Sequence, residues 1–180
     1  MEEKKLDRRI RKTKRTLLQA LTKLMSKKKI NNITVKELTD LADVNRSTFY
    51  LYYKDIFDMV DKIESELIND FSETYDKFSK EASTYDDLFH FFIYLFEFVQ
   101  NNGEMFEIFL CQSGEYTFIE KLKDAIKHCK IPLDDTSSEV EAKYCMPFAI
   151  SGCIGVVQQW LSDGMKTSPK DMAGILVKML

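Results

Sequence analysis

Residues Thr34–Asp58 read TVKELTDLADVNRSTFYLYYKDIFD. Thr34 followed by Glu37 is a capping box, in which each side chain satisfies an orphan donor of the other's backbone. Val35, Leu38, Leu41 and Ala42 then recur at helical spacing and give one apolar face. The run stops at Asp43-Val44. Asn45 caps a second short helix, from Arg46 to about Tyr52, with Phe49 and Tyr53 as its apolar anchors. Two short helices separated by a short turn form a helix-turn-helix. Such a unit sets the first turn of its second helix against base edges in the major groove. Arg46, Ser47 and Thr48 occupy that turn. Arg46 can donate paired bonds to guanine O6 and N7, and Thr48 can offer its hydroxyl to a base or phosphate, or its methyl to thymine. The N–H groups that open the helix behind Thr34 can hold a phosphate. Tyr50 and Tyr53 lie one turn apart, and the pattern leaves open which of the two is buried.

Upstream lies one long helix, roughly Lys4 to Ser26. Leu6, Ile10, Leu17, Leu21 and Leu24 form its buried stripe, and Arg8, Arg9, Arg11, Lys12, Lys14 and Arg15 line the opposite face. Lys27, Lys28 and Lys29 suit the negative end of its dipole. Charge is divided sharply along the chain. Residues 1–54 carry 15 basic and 6 acidic side chains, and residues 55–180 carry 11 and 23. A positive head on an acidic body fits a polyanion-binding module joined to a module of another kind.

Downstream, the chain holds only 3 prolines and 6 glycines, which marks an all-helical protein. A long helix is expected over about Asp55 to Phe78, with Ile56, Met59, Val60, Ile63, Leu67, Phe71 and Phe78 inward. Thr84 with Asp87 caps the next, in which Leu88 to Val99 is apolar on nearly every face and therefore central to the body. Asn101-Asn102-Gly103 ends it. Shorter helices follow at about Glu104 to Gln112 and Thr117 to Cys129. Lys130 to Thr136 reads as a loop. Ser138 with Glu141 opens a long helix to about Asp163, expected to kink at Pro147, with Gly164 after its end. Ser168-Pro169 starts the last helix, which is expected to run to the C-terminus.

Several function classes find no support. No apolar signal core follows Met1, so the expected location is cytoplasmic. The weakly polar stretch Tyr144 to Leu161 is interrupted by Pro147, Ser151, Gln158 and Gln159, and reads as a buried or interface helix rather than a membrane span. Cys111, Cys129, Cys145 and Cys153 show no metal or redox pairing. On one helix, Cys145 and Cys153 would lie about 12 Å apart, too far for a disulfide. The two histidines, His90 and His128, have no ligand-spaced partner. No nucleophile elbow, dinucleotide fingerprint or P-loop occurs. The expectation is a protein with no catalytic residues, no metal and no cofactor.

Val44-Asn45-Arg46-Ser47-Thr48-Phe49-Tyr50-Leu51-Tyr52-Tyr53 resembles the DNA-binding signature of the TetR/AcrR family of transcriptional regulators. The likeness covers about residues 8–60. Beyond it, the chain resembles the family in helix count, length and the terminal pattern Trp160…Gly164…Ser168-Pro169. The resemblance implies an all-α fold: a three-helix DNA-binding head over 1–54 and a helical-bundle dimerisation and ligand body over 55–180. It implies that Arg46 and Thr48 read bases, that Thr34, Tyr50 and Lys54 contact phosphate, and that Phe49 and Tyr53 pack the head. With Asn45 and Ser47, these polar residues complete the expected DNA-binding set. The chain departs from the family in three places. Asp43 stands where Gly is frequent, and Asp tolerates the left-handed backbone. Ile56 stands where a Lys is common, with Lys54 two residues earlier. Ser47 stands where a small residue is common, and its hydroxyl can alter base preference.

The resemblance further implies a homodimer built on the last two long helices, about 138–163 and 168–180, acting on a (pseudo)palindromic operator in double-stranded DNA. Ala149, Gly152 and Gly155 allow close helix approach. Ile150, Ile154, Val157, Trp160, Leu161, Ile175, Leu176 and Leu180 supply apolar area for that interface or for the protomer's own core. It implies a repressor whose small-molecule effector binds inside the body. Phe92, Phe96, Phe106, Phe109, Met146 and Trp160 are the candidate ligand-contacting residues, and the aromatic helix over 89–98 lines a cavity or is plain core. The competing reading of the charge division is a helical interaction adaptor whose basic head docks an acidic partner. Helix 1 lacks the Trp/Phe enrichment of a membrane-surface helix.

Overall fold

The structure is a computed structural model that describes residues 2–79, 85–112, 116–128 and 139–179. It is helical throughout, with no strand among the described residues. The Thr84 cap, the loop over 130–136 and the Ser138 start lie outside those residues. Two compact units emerge, Met1–Ser65 and Glu66–Leu180.

The first unit holds α1 (Glu2–Met25), a 3-10 turn (Ile30–Asn32), α2 (Val35–Ala42), α3 (Arg46–Tyr50) and the opening of α4 (Ile56–Ser79). Its core is Leu17, Ala20, Leu21 and Met25 from α1, Leu38 and Ala42 from α2, Phe49 from α3, then Tyr53 and the α4 residues Ile56, Met59, Val60 and Ile63. Ile56 through Ile63 are buried in the grouping that holds the three short elements, so the first turns of α4 belong structurally with the head. On α2 the buried face differs from expectation. Leu41 is 43% exposed, while Thr39 is buried. A step of about 100° per residue carries Leu41 to the edge of the face and brings Thr39 into it. Thr39 is accommodated because its hydroxyl donates to the Val35 and Lys36 carbonyls at 2.8 and 3.1 Å.

The second unit holds the rest of α4, α5 (Tyr85–Asn101), α6 (Gly103–Phe106) continued by a π-helical segment (Glu107–Gln112), α7 (Tyr116–His128), α8 (Glu139–Ser162) and α9 (Pro169–Val177). Sequence spacing predicts one ordinary helix where α6 and the π segment lie. α5 packs along α9, and α8 packs against the π segment and α7. Phe91, Phe92 and Phe96 of α5 are buried, so the aromatic helix is central to this unit. α8 continues as helix through Pro147. It ends in a Schellman arrangement: Gly164 is left-handed (φ 74°), its N–H donates to the Leu161 carbonyl, and the Met165 N–H reaches the Trp160 carbonyl at 2.9 Å. Ser168 caps α9 by accepting from the Asp171 N–H, with Pro169 at the first position. α9 stops at Val177 rather than at the C-terminus.

Candidate nucleic-acid interface

α2 and α3 are joined by a turn whose geometry depends on Asp43. That residue caps α2 in the left-handed region (φ 52°, ψ 45°), and the next N–H, Val44, closes back onto the Thr39 carbonyl at 3.0 Å. Asn45 then opens α3: its Oδ1 accepts from the Ser47 backbone N–H and from the Ser47 hydroxyl, both at 2.9 Å. Beneath the turn, Phe49 is fully buried and Tyr53 packs against it with ring centroids 5.5 Å apart. Above it, Arg46 and Ser47 are exposed and Thr48 is half-buried. Tyr50 is 57% exposed, so of the two tyrosines it is Tyr53 that enters the core. α3 thus turns its fourth residue inward and leaves its first two residues in solvent.

Two polar clusters flank this turn. At the start of α2 the Thr34–Glu37 capping box is complete, and Lys28 Nζ lies 2.6 Å from Glu37 Oε1. The Lys28 ammonium, followed by the Thr34 N–H, holds the Glu37 carboxyl below its ordinary value. Thr34 itself is exposed beside that carboxylate. At the start of α4, Asp55 accepts from the Asp58 N–H at 2.8 Å, and Asp58 Oδ2 accepts from the Lys54 N–H at 2.8 Å. Lys62 donates to Asp58 at 2.9 Å and to the Tyr52 carbonyl at 3.0 Å, and its ammonium lies 5.7 Å from the Tyr53 ring centroid. The Lys54 N–H, then Lys62, keeps the Asp58 carboxyl below its usual range. Lys62 thus ties the turn after α3 to α4. Lys54 is exposed and Ile56 is buried, so the position where a lysine is common faces the core here.

A small apolar cavity of ≈ 30 Å³ is bounded by Phe71, Leu95, Val99, Phe106, Leu110, Leu122, Ile126, Cys153, Ile154 and Val157. Phe106 is the expected residue on that boundary. Phe92, Phe96 and Phe109 are buried, and Met146 is half-buried on α8. Trp160 packs edge-on against Phe96 at 5.1 Å and donates its indole N–H to the Thr167 carbonyl at 2.9 Å. Burial pushes the Cys153 thiol up to about 11, so it stays protonated at neutral pH.

Residues 86–180 match the family model TetR_C_8, described as the transcriptional regulator C-terminal region. This chain belongs to the TetR family of transcriptional regulators. Solved structures with the same fold include the fatty acid degradation regulator FadR from Bacillus halodurans (TM-score 0.72, 13% identity, 93% of each chain covered). A TetR transcriptional regulator from Streptococcus agalactiae 2603V aligns with TM-score 0.66 and 22% identity over 96% of each chain. FadR from Bacillus subtilis in complex with stearoyl-CoA aligns with TM-score 0.67 and 14% identity, covering 91% of this chain and 95% of that one. The HTH-type transcriptional regulator YxbF of Bacillus subtilis strain 168 is 33% identical over 72 residues. That alignment spans 40% of this chain, and the chain spans 18% of that relative's length.

For a TetR-family chain, sequence reasoning misses three features. Lys62 carries no signal because a lone lysine on a long helix reads as solvated. Thr39 reads as polar and so falls outside the expected core. Nor does a π segment leave a side-chain pattern that periodicity can find. Among the described residues no group of side chains is placed to hold a metal ion, and no helix is long and apolar enough to cross a membrane.

Proposed function

We propose that this regulator is a repressor that binds a (pseudo)palindromic operator as a homodimer and releases it when a small apolar molecule occupies the body. The exposed first turn of α3, carried on a fully packed Phe49, is the observation on which this reading stands. Arg46 and Thr48 read base edges, with Ser47 beside them. Thr34, Asn45, Tyr50 and Lys54 contact the backbone and set the register. The 15 basic against 6 acidic residues of 1–54 add a sequence-independent attraction to phosphate.

Two heads are needed because one short helix reads only a few base pairs. The dimer face we assign is the outward stripe of α8 with the end of α9, within the stretches 138–163 and 168–180. Phe148 is 77% exposed and Tyr144, Ile175 and Met179 are also exposed, while a Cβ added at Gly152 or Gly155 would meet no atom within 4 Å. Large apolar side chains beside open notches are what a self-complementary helix pair requires. Ile150, Ile154, Val157, Trp160, Leu161 and Leu176 fill the protomer's own core instead.

An aliphatic effector is supported by the apolar boundary of the cavity, and by the stearoyl-CoA held in the FadR structure from Bacillus subtilis. Occupancy would favour one of two dimer shapes, only one of which matches the half-site spacing. The test is selection from a random double-stranded DNA pool with the purified protein. Enrichment of a two-fold symmetric site with half-sites spaced by whole turns is expected. Uniform binding with no enriched sequence would favour an adaptor that uses its charge on an acidic protein.

A further inference from the structure

We infer that Gln158 is the latch of the apolar cavity: an aliphatic ligand enters by parting the Gln158 side-chain amide from the Leu110 carbonyl, in step with a change of the π segment. This rests on the reading above that the body takes an effector, and it names the residue that controls entry.

The cavity of ≈ 30 Å³ holds about one water-sized volume, whereas small-molecule sites run to several hundred Å³. Binding therefore needs a wall to move. Two walls meet at the latch. Leu110 lies on the π segment, and Ile154 and Val157 lie on α8; all three bound the cavity. At their seam, Gln158 Nε2 donates to the Leu110 carbonyl at 2.8 Å in a half-buried setting. The Cys111 thiol lies 4.0 Å from the Gln158 carbonyl, a weak contact running the other way.

The stretch that carries Leu110 changes its winding along its length. At its start the Gly103 backbone packs against the Met165 thioether, where a Cβ would meet Met165 Cε at 2.7 Å. Further on, Glu107–Gln112 winds as π-helix, a form that is rare and that recurs at functional sites. A π segment can revert to α-helical winding by shifting its hydrogen bonds one residue. That shift would re-aim the Leu110 carbonyl, which the Gln158 amide now holds. The movable wall is thus the one retained by an exchangeable hydrogen bond.

The boundary also sets the ligand's chemistry. Its ten residues offer carbon and the protonated Cys153 thiol, so a charge placed there would go unpaired. The part of the ligand that enters is therefore apolar, and any polar group stays outside.

The probe is 1-decanol, titrated by calorimetry into the full chain, with amide hydrogen exchange read across 107–112. Gln158→Met keeps the side-chain length and removes the donor. Gln158→Glu keeps the length and sets an acceptor against the carbonyl. Both should bind decanol about tenfold more tightly than the wild type, because a net hydrogen bond no longer opposes opening. In the wild type, decanol should speed exchange at 107–112, and both variants should exchange quickly there before any probe is added. Equal affinity in all three proteins, unchanged exchange at 107–112, or no decanol binding by any of them would overturn the latch. If a variant fails to fold, the wild-type exchange measurement decides alone. No DNA is present, so a failure of operator recognition in its own assay leaves this result untouched, and the reverse also holds.

Discussion

Phe49 and Tyr50 are adjacent, yet one is sealed in the head and the other stands in solvent. Truncating Phe49 to Ala should lower unfolding free energy by about 3–5 kcal/mol, measured by urea denaturation. Tyr50→Phe should change stability by no more than about 0.5 kcal/mol, being a surface change. The sequence leaves Tyr50 and Tyr53 unresolved for a physical reason. α3 ends at Tyr50, so helical spacing no longer governs where Tyr53 points. What places Tyr53 is contact with Phe49 and the Lys62 ammonium. Arg46, Ser47 and Lys54, by contrast, are legible as exposed because polar residues flanking an apolar anchor have one plausible side. Two carboxylates give the head a pH signature. Asp58 and Glu37 are held below their ordinary values by hydrogen bonds and lysines present only in the fold. Their contribution is therefore complete above the ordinary carboxylate range and is lost as pH falls through the depressed values. Thermal melts of the chain should show a stability loss on acidification below about pH 4, and Asp58→Asn should shrink it. An unchanged acid profile in that variant would refute the assignment.

At the scale of elements, the caps are the most readable feature. Thr34–Glu37, Asn45, Gly164 and Ser168-Pro169 each do what their chemistry dictates, because a cap is a local match between one side chain and nearby N–H or C=O groups. The turn between α2 and α3 shows how far this reaches. Asp43 is left-handed, as its substitution for Gly requires. Asp43→Val should cost about 1–2 kcal/mol, since a β-branched side chain is strained at positive φ. Asp43→Asn should be nearly neutral. A Val variant as stable as the wild type by urea denaturation would mean the turn is not what α2 and α3 depend on. Winding inside an element is less readable. The π segment leaves no break in the side-chain pattern from Glu104 to Gln112, and its contact with α8 comes from a residue nearly fifty positions away.

For the whole molecule, the division of charge along the sequence points to two modules, and the contacts group the chain into two units. The sequence places their junction at 54/55, where the charge balance changes. Packing places it at Ser65/Glu66, because Ile56, Met59, Val60 and Ile63 carry the apolar pattern of the head into α4. Surface apolar residues are the hardest to read, since an interface helix and a core helix share one alphabet. Burial separates them, leaving Phe148 and Tyr144 outside and Ile154 and Trp160 inside. The proposed dimer face predicts that the wild type sediments as a dimer and Phe148→Asp as a folded monomer at the same concentration. A dimer that survives this change would move the interface elsewhere.

The most direct test of the account is operator binding at fixed salt by Arg46→Ala and Lys54→Ala, each scored against the selected site and its single-base variants. Arg46→Ala should lose about 1–3 kcal/mol on the selected site and cease to discriminate at one base position of each half-site, whereas Lys54→Ala should weaken every sequence alike. Equal losses on all sequences for both variants would contradict the placement of Arg46 in the major groove.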